Sequence, residues 1–329
     1  MYGKVLIAGG YVILNSAFTG VVVHVKIHIK STVTDSESTV ITTQFGKYPE
    51  VNNPYLEACL LISEIFLDAL NIDIKPMHIV VDADPRFYLN GKLGLGSSSA
   101  LCASVVEAIL KRHGILNVID IFKVASIAHF KAQGKVGSGF DIASAVFGSC
   151  IYKRPLIFEE ILTMDKDTIR NLLKQEWLLD IVPFEWPKEW QILLFSFSTG
   201  ESTILNTKRF LEWSAKTVGC ISQLDAIEFS TKQLVTAIRL KDHLMLKSTF
   251  TNMIDQYTQL GSDCSIGIVP SQCQRLFQSA FYLDSCIGGM CPGAGGKDAI
   301  FLISDIIDNK ELIEKAREHG FNLVNIDIG

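Results

Sequence analysis

The sequence predicts an α+β fold in two domains, an expectation carried by three observations. Strand-like runs alternate with amphipathic helical patterns through the first half of the chain. The second half reads as a strand, four helices, two strands, a helix and a strand. Glycines concentrate at Gly94–Gly96, Gly134–Gly139 and Gly293–Gly296, in both halves, which points to a cleft between two domains, residues 1–187 and 188–329.

Gly3–Leu14 reads as strand, Gly-Gly turn, strand, which predicts a β-hairpin. Val21–Lys30 alternates, with His24, Lys26, His28 and Lys30 on one face, so it predicts a half-buried strand whose histidines face solvent rather than a metal. Thr39–Gln44 returns as a strand. Asn53 caps and Pro54 opens a helix that runs to about Leu70. Met77–Asp82 is a strand, and the run Lys92-Leu93-Gly94-Leu95-Gly96-Ser97-Ser98-Ser99 follows it, its serines placed to cap a helix over Ala100–His113. Asp120 is the expected cap of a helix over Ile121–Gln133, which Gly134 ends. A short helix over Ile142–Phe147 begins beside Asp141, and Cys150–Lys153 is a strand. The weakly patterned stretch Pro155–Pro187 reads as the link between domains. Gln191–Phe197 is a buried strand. Helices are predicted over Thr203–Trp213, Asp225–Leu240, His243–Leu260 and Pro270–Leu283. Strands over Cys286–Met290 and Ala299–Ser304 flank the third glycine run, and a helix over Lys310–Glu318 and a strand over Asn322–Ile328 complete the pattern.

Glycines that let the backbone turn tightly just before a helix N-terminus make an anion cradle, because the first amides of a helix lack intrahelical partners and the dipole is positive there. The run at Gly94–Ser99 lacks the Gly-Lys-Ser/Thr ending of a P-loop and the acidic partner of a dinucleotide site, so it predicts a phosphate cradle of another lineage. With 48% hydrophobic and 20% charged residues in 329, the chain reads as soluble and globular. Its apolar runs are too short or too interrupted to span a membrane, and its first residues do not resemble a signal peptide. The formal net charge of −5 argues against a nucleic-acid partner. An acidic protein that holds polyphosphate must gather its lysines locally, which singles out Lys4, Lys92, Lys135 and Lys208. Eight cysteines without C-x-x-C spacing read as buried thiols in a reducing compartment, the cytoplasm. Nothing calls for an obligate protein partner.

Five segments in order resemble the GHMP kinases, and among them the eukaryotic-type phosphomevalonate kinases. They are Gly3–Tyr11, Lys92–Ala100, Gln133–Asp141, Glu201-Ser202-Thr203 ahead of Lys208–Trp213, and Pro292–Ala299. The resemblance implies an N-terminal domain like the second domain of ribosomal protein S5 and a ferredoxin-like C-terminal domain. It further implies transfer of the γ-phosphoryl group of ATP to the phosphate of 5-phosphomevalonate. By motif, Gly94, Leu95, Gly96, Ser97, Ser98 and Ser99 would hold the ATP phosphates, with Ser98 as the Mg²⁺ ligand. Asp141 takes the family's catalytic aspartate position, Lys4 faces the phosphates, and Gly293, Ala294 and Gly295 line the cleft from the other domain. Lys135, Ser138, Ser202, Thr203 and Lys208 are the substrate-side candidates. Mevalonate kinases carry a magnesium-binding glutamate shortly before their aspartate, and the nearest equivalent here is the neutral Gln133.

Local readings stand beside these roles. Asp141 could cap its helix, Ser202, Thr203 and Lys208 could form an ordinary cap and first turn, and Gly293–Gly296 could be a hairpin turn. Another GHMP small-molecule kinase, such as a mevalonate kinase, or a nucleotide-binding sensor that keeps the fold without catalysis are the alternatives. The acceptor chemistry favours Lys4, Lys92, Lys135 and Mg²⁺ as the main elements. A phosphate monoester is mostly dianionic at pH 7 and needs no base, but at ~4 Å and an effective dielectric constant of ~20 each pair of unit charges repels by about 4 kcal/mol. Asp141 is then an orienting partner for a lysine or the metal rather than a base.

Overall fold

A computed structural model of the chain describes residues 1–88, 93–134, 137–196, 203–296 and 299–328, without the side chains of Glu159, Glu160, Thr203 and Ile204. Its first sheet is organised on a long strand, β2 (Thr19–Asp35). Val23, Val25, Ile27 and Ile29 are fully buried, whereas Lys26, His28 and Lys30 face outward. Burying each of those side chains is worth about 1.5–3 kcal/mol, so a one-residue slip of register, which would expose all four, is strongly disfavoured. Along its first half β2 pairs with β1 (Tyr2–Ala8) and β6 (Cys150–Lys153), and along its second half with β5 (Met77–Ala83). Strands β3 (Val40–Thr43) and β4 (Gly46–Tyr48) extend one edge and β7 (Ile181–Pro183) the other.

Helices α1 (Pro54–Ala69), α2 (Ser97–Arg112), α3 (Val118–Gln133) and α4 (Phe140–Phe147) pack on one another and on this sheet, α2 across β2 and α4 against β1. The expected link contains a 3₁₀ turn over Leu156–Thr163, a helix α5 (Lys166–Lys174) packed on α1, and β7. Its weak pattern reflects short elements rather than an unstructured tether. The second sheet runs β11–β8–β10–β9, all antiparallel, with β8 (Gln191–Ser196), β9 (Gly288–Met290), β10 (Ala299–Ser304) and β11 (Asn322–Val324). Its helices are α6 (Thr203–Lys216), α7 (Cys220–Leu240), α8 (His243–Asp263), α9 (Ser271–Ala280) and α10 (Lys310–Glu318). No helix among the described residues is long and apolar enough to cross a membrane. All eight cysteines are buried free thiols.

Three sequence expectations fail locally. Gly9-Gly10 does not close a hairpin: β1 ends at Ala8, Val12–Leu14 form a 3₁₀ turn, and the partner of β1 is β2, with Lys4 opposite His24. The glycines are needed for passage instead. A Cβ on Gly9 would meet the Thr19 carbonyl oxygen at 2.5 Å, and one on Gly10 would meet the Gly293 carbonyl oxygen at 2.1 Å. Secondly, α2 opens at Ser97 rather than Ala100, behind a left-handed Gly96 (φ 79°), with no side-chain cap. Thirdly, α3 begins a turn early because Asn117, not Asp120, accepts from the Ile119 amide at 2.9 Å.

The two sheet layers meet around the same crossing. The Thr19 amide and hydroxyl donate to the two oxygens of Glu228 on α7 at 2.7 and 2.8 Å. The Tyr257 hydroxyl on α8 donates to the Gly10 carbonyl at 3.0 Å, and the Gly293 amide donates to the Leu6 carbonyl at 3.0 Å. Gly10→Ala should therefore force these backbones apart and lower stability by about 1–3 kcal/mol, the usual range for overpacking. Urea denaturation checks this, and an unshifted midpoint would contradict the close approach.

Candidate active site

Two helix N-termini without a side-chain cap, those of α2 and α4, share one cavity. Side chains cap α1 (Asn53), α3 (Asn117), α5 (Asp165) and α8 (Asp242). No side chain caps α7, α9 or α10, nor α2 and α4, which each open on a left-handed glycine, Gly96 and Gly139, both at φ 79°. Both open into one cavity of about 770 Å³. Unpartnered helix amides and the positive ends of two dipoles thus converge where an anion can be seated.

Lys4 lines this cavity from β1. Its backbone amide donates to the Leu95 carbonyl at 2.8 Å, its ammonium donates to the Gly94 carbonyl at 2.8 Å, and it lies 4.7 Å above the Phe140 ring centre. One strand residue is therefore joined both to the loop before α2 and to the start of α4. It supplies the one ammonium group among the described lining residues. Asp141, in the first turn of α4, also lines the cavity, and its Oδ1 accepts from the Ile142 amide at 3.0 Å. Burial, followed by the nearby Asp141 charge, pushes the Tyr152 phenol well above its ordinary pKa, so it stays protonated. That hydroxyl donates to the Ser138 carbonyl at 2.6 Å and fixes the turn that leads into α4.

Gly94, Leu95, Gly96, Ser97, Ser98, Ser138, Gly293, Ala294 and Gly295 line the same space. Two candidates do not. Ser99 turns its hydroxyl back onto the Gly96 carbonyl at 2.7 Å and is 1% exposed, because the third residue of the helix faces the first turn rather than the opening. Lys208 points outward from α6, 3.8 Å from Glu212; the preceding residue, Thr207, lines the cavity, one residue being about 100° of helical rotation. Lys92, Lys135, Ser202 and the Thr203 side chain lie outside the described residues.

The cavity also holds residues that sequence reasoning did not single out: Tyr11, Tyr55 and His129. Tyr11 adopts a left-handed backbone (φ 58°), strained for a non-glycine residue, and packs on Phe210 of α6 with ring centres 5.3 Å apart. His129 Nε2 lies 3.1 Å from Ser98 Oγ and 3.0 Å from the Gln133 amide nitrogen. A signal was present, since His129 and Gln133 share a helix face at i,i+4, but a single histidine in an apolar helix carries no chemistry by itself.

No cluster of three or more His, Cys, Asp or Glu side chains among the described residues is placed to hold a metal ion. A transition-metal cage does not fit. The hard oxygens of Ser98 and Asp141, which line the same cavity, suit a hydrated Mg²⁺ whose remaining ligands come from water and phosphate.

Residues 57–149 match the model of the GHMP kinases N terminal domain. The chain is 24% identical over 393 residues to a phosphomevalonate kinase of Gibberella zeae, covering 95% of this chain and 88% of that protein. It is 26% identical over 344 residues to the phosphomevalonate kinase of Saccharolobus solfataricus, covering 98% and 94%. The crystal structure of Streptococcus pneumoniae phosphomevalonate kinase in complex with phosphomevalonate and AMPPNP has the same fold. Its TM-score is 0.84 at 18% identity, over 100% of this chain and 98% of that one. Residues 57–149 thus match a GHMP kinase domain, and over nearly its whole length the chain is similar to phosphomevalonate kinases and shares their fold.

Proposed function

We propose that this chain is a phosphomevalonate kinase, which transfers the γ-phosphoryl group of Mg-ATP to the phosphate of 5-phosphomevalonate to give the diphosphate and ADP. The observation that carries the reading is the convergence of two uncapped helix N-termini with Lys4 and Asp141 on one cavity of about 770 Å³. That volume lies in the range of ~300–1,000 Å³ usual for small-molecule sites.

The division of labour follows from charge. The amides of α2 and the Gly94–Gly96 backbone seat the donor's phosphates, with Ser98 Oγ and the Asp141 carboxylate as the protein's ligands to Mg²⁺. When bound, Mg²⁺ neutralises charge on the phosphate oxygens. The acceptor lies toward Ser138 and the Gly293–Gly295 wall, with its phosphate directed to the N-terminus of α4. Lys4, fixed between the loop and α4, offsets the repulsion of the two anions as they approach. The acceptor needs no proton removed, so Asp141 orients the cation and the lysine. Gln133, neutral and lining the cavity, adds no further negative charge beside the acceptor. We place the boundary between the two domains at 187/188, between β7 and β8. The eight reduced thiols favour the cytoplasm.

The test is ADP release with 5-phosphomevalonate and, separately, with mevalonate. We expect Mg²⁺-dependent turnover of the phosphorylated acceptor and none of the alcohol. Turnover of mevalonate alone would assign the chain to the sister activity, and tight ATP binding without turnover of either would assign it to a sensor.

A further inference from the structure

His129 is 2% exposed, yet its ring reaches the cavity wall rather than ending in the apolar packing of α3. Tyr55 of α1 lies beside it, ring centres 5.7 Å apart and planes inclined by 34°. Two described groups lie close to its Nε2, Ser98 Oγ at 3.1 Å and the Gln133 amide nitrogen at 3.0 Å. An amide nitrogen donates, so with the Gln133 amide turned this way the facing ring nitrogen is an acceptor, and its one lone pair is shared between the Gln133 amide and the Ser98 hydroxyl. A serine hydroxyl has one proton and two lone pairs, and the direction of the proton decides where the lone pairs go.

We infer that His129 is a positioning residue for Ser98: its Nε2 takes the Ser98 hydroxyl proton as a hydrogen bond and leaves the serine lone pairs directed at the cation. The inference rests on the proposed role of Ser98 as a Mg²⁺ ligand. Without an acceptor behind it, the hydroxyl would turn its proton elsewhere, as Ser99 does onto the Gly96 carbonyl. Gln133, on the same helix face, favours this tautomer by donating to the same Nε2, so the Ser98 hydroxyl and the Gln133 amide converge on one acceptor. Groups that hydrogen-bond to a metal ligand from behind orient it, and their removal typically costs about 10–100-fold in metal affinity.

Two measurements test this without relying on turnover. Long-range ¹H–¹⁵N NMR of the histidine-labelled protein, with the His129 signal assigned by its loss in His129→Gln, should show an unprotonated Nε2; a proton on Nε2 would overturn the inference. The second is Mn²⁺ affinity in the presence of AMPPNP, followed by EPR. His129→Phe keeps a ring beside Tyr55 but offers no acceptor, and should weaken Mn²⁺ about 10–100-fold. His129→Gln, whose amide oxygen can reach the place of Nε2, should recover most of that loss. Wild-type affinity in His129→Phe beside a weakened Ser98→Ala would sink the role of His129 and leave Ser98 standing. Unchanged affinity in Ser98→Ala would instead remove the role of Ser98. Should His129→Phe fail to fold by circular dichroism, the tautomer and the His129→Gln affinity decide.

Discussion

Asp141→Asn should lower kcat by about 10²–10³-fold while the fold stays intact, a loss of about 3–4 kcal/mol in transition-state stabilisation. The fold should survive because the side chain does little for α4 that asparagine cannot do: Gly139 already opens the helix, and the one side-chain hydrogen bond of Asp141 among the described residues, from the Ile142 amide, needs only an oxygen acceptor. What asparagine lacks is the charge. If the carboxylate orients Mg²⁺ and Lys4 as the phosphoryl group moves, kcat falls and the KM for ATP changes far less, since the amides of α2 still seat the nucleotide. Steady-state kinetics beside a melting curve separates these outcomes. Unchanged kcat would remove Asp141 from the reaction.

Lys4→Met should reduce kcat/KM by about 10²–10³-fold, comparable to removal of one preorganised donor from a developing charge. Methionine keeps an apolar stem of similar length, which matters because a Cβ on Gly96 would already meet the Lys4 stem at 3.2 Å. The ammonium is lost, and with it the bond to the Gly94 carbonyl and the position over Phe140. Lys4→Arg should recover little, because a planar fork does not replace a point charge at that site. Kinetics of the three proteins at fixed ionic strength checks this, and full activity of Lys4→Met would show that the charge of this lysine is dispensable.

Periodicity and caps made much of the fold legible. The alternation in β2, the Asn53-Pro54 start of α1 and the bounds of α10 follow from side-chain spacing and cap chemistry, which act locally. The glycine loops were legible as walls of a cleft, since Gly94–Gly96 and Gly293–Gly295 do line one cavity. What could not be read depended on distant partners. Gly9-Gly10 has the composition of a hairpin turn, but the Thr19 and Gly293 backbones occupy the space beside it. The serines after Gly96 have the composition of caps, but with glycine already at the cap position their backbone amides are left for a ligand. His129 gains meaning only when α2 brings Ser98 to within 3.1 Å.

The central claim, that two phosphates meet in the cavity bounded by Lys4, α2 and α4, is tested most directly by ³¹P NMR of the products from Mg-ATP and 5-phosphomevalonate. The account predicts that the acceptor's monoester resonance is replaced by a pair of coupled diphosphate resonances as ADP accumulates. A monoester resonance that persists while a new phosphate ester appears at another position would contradict it.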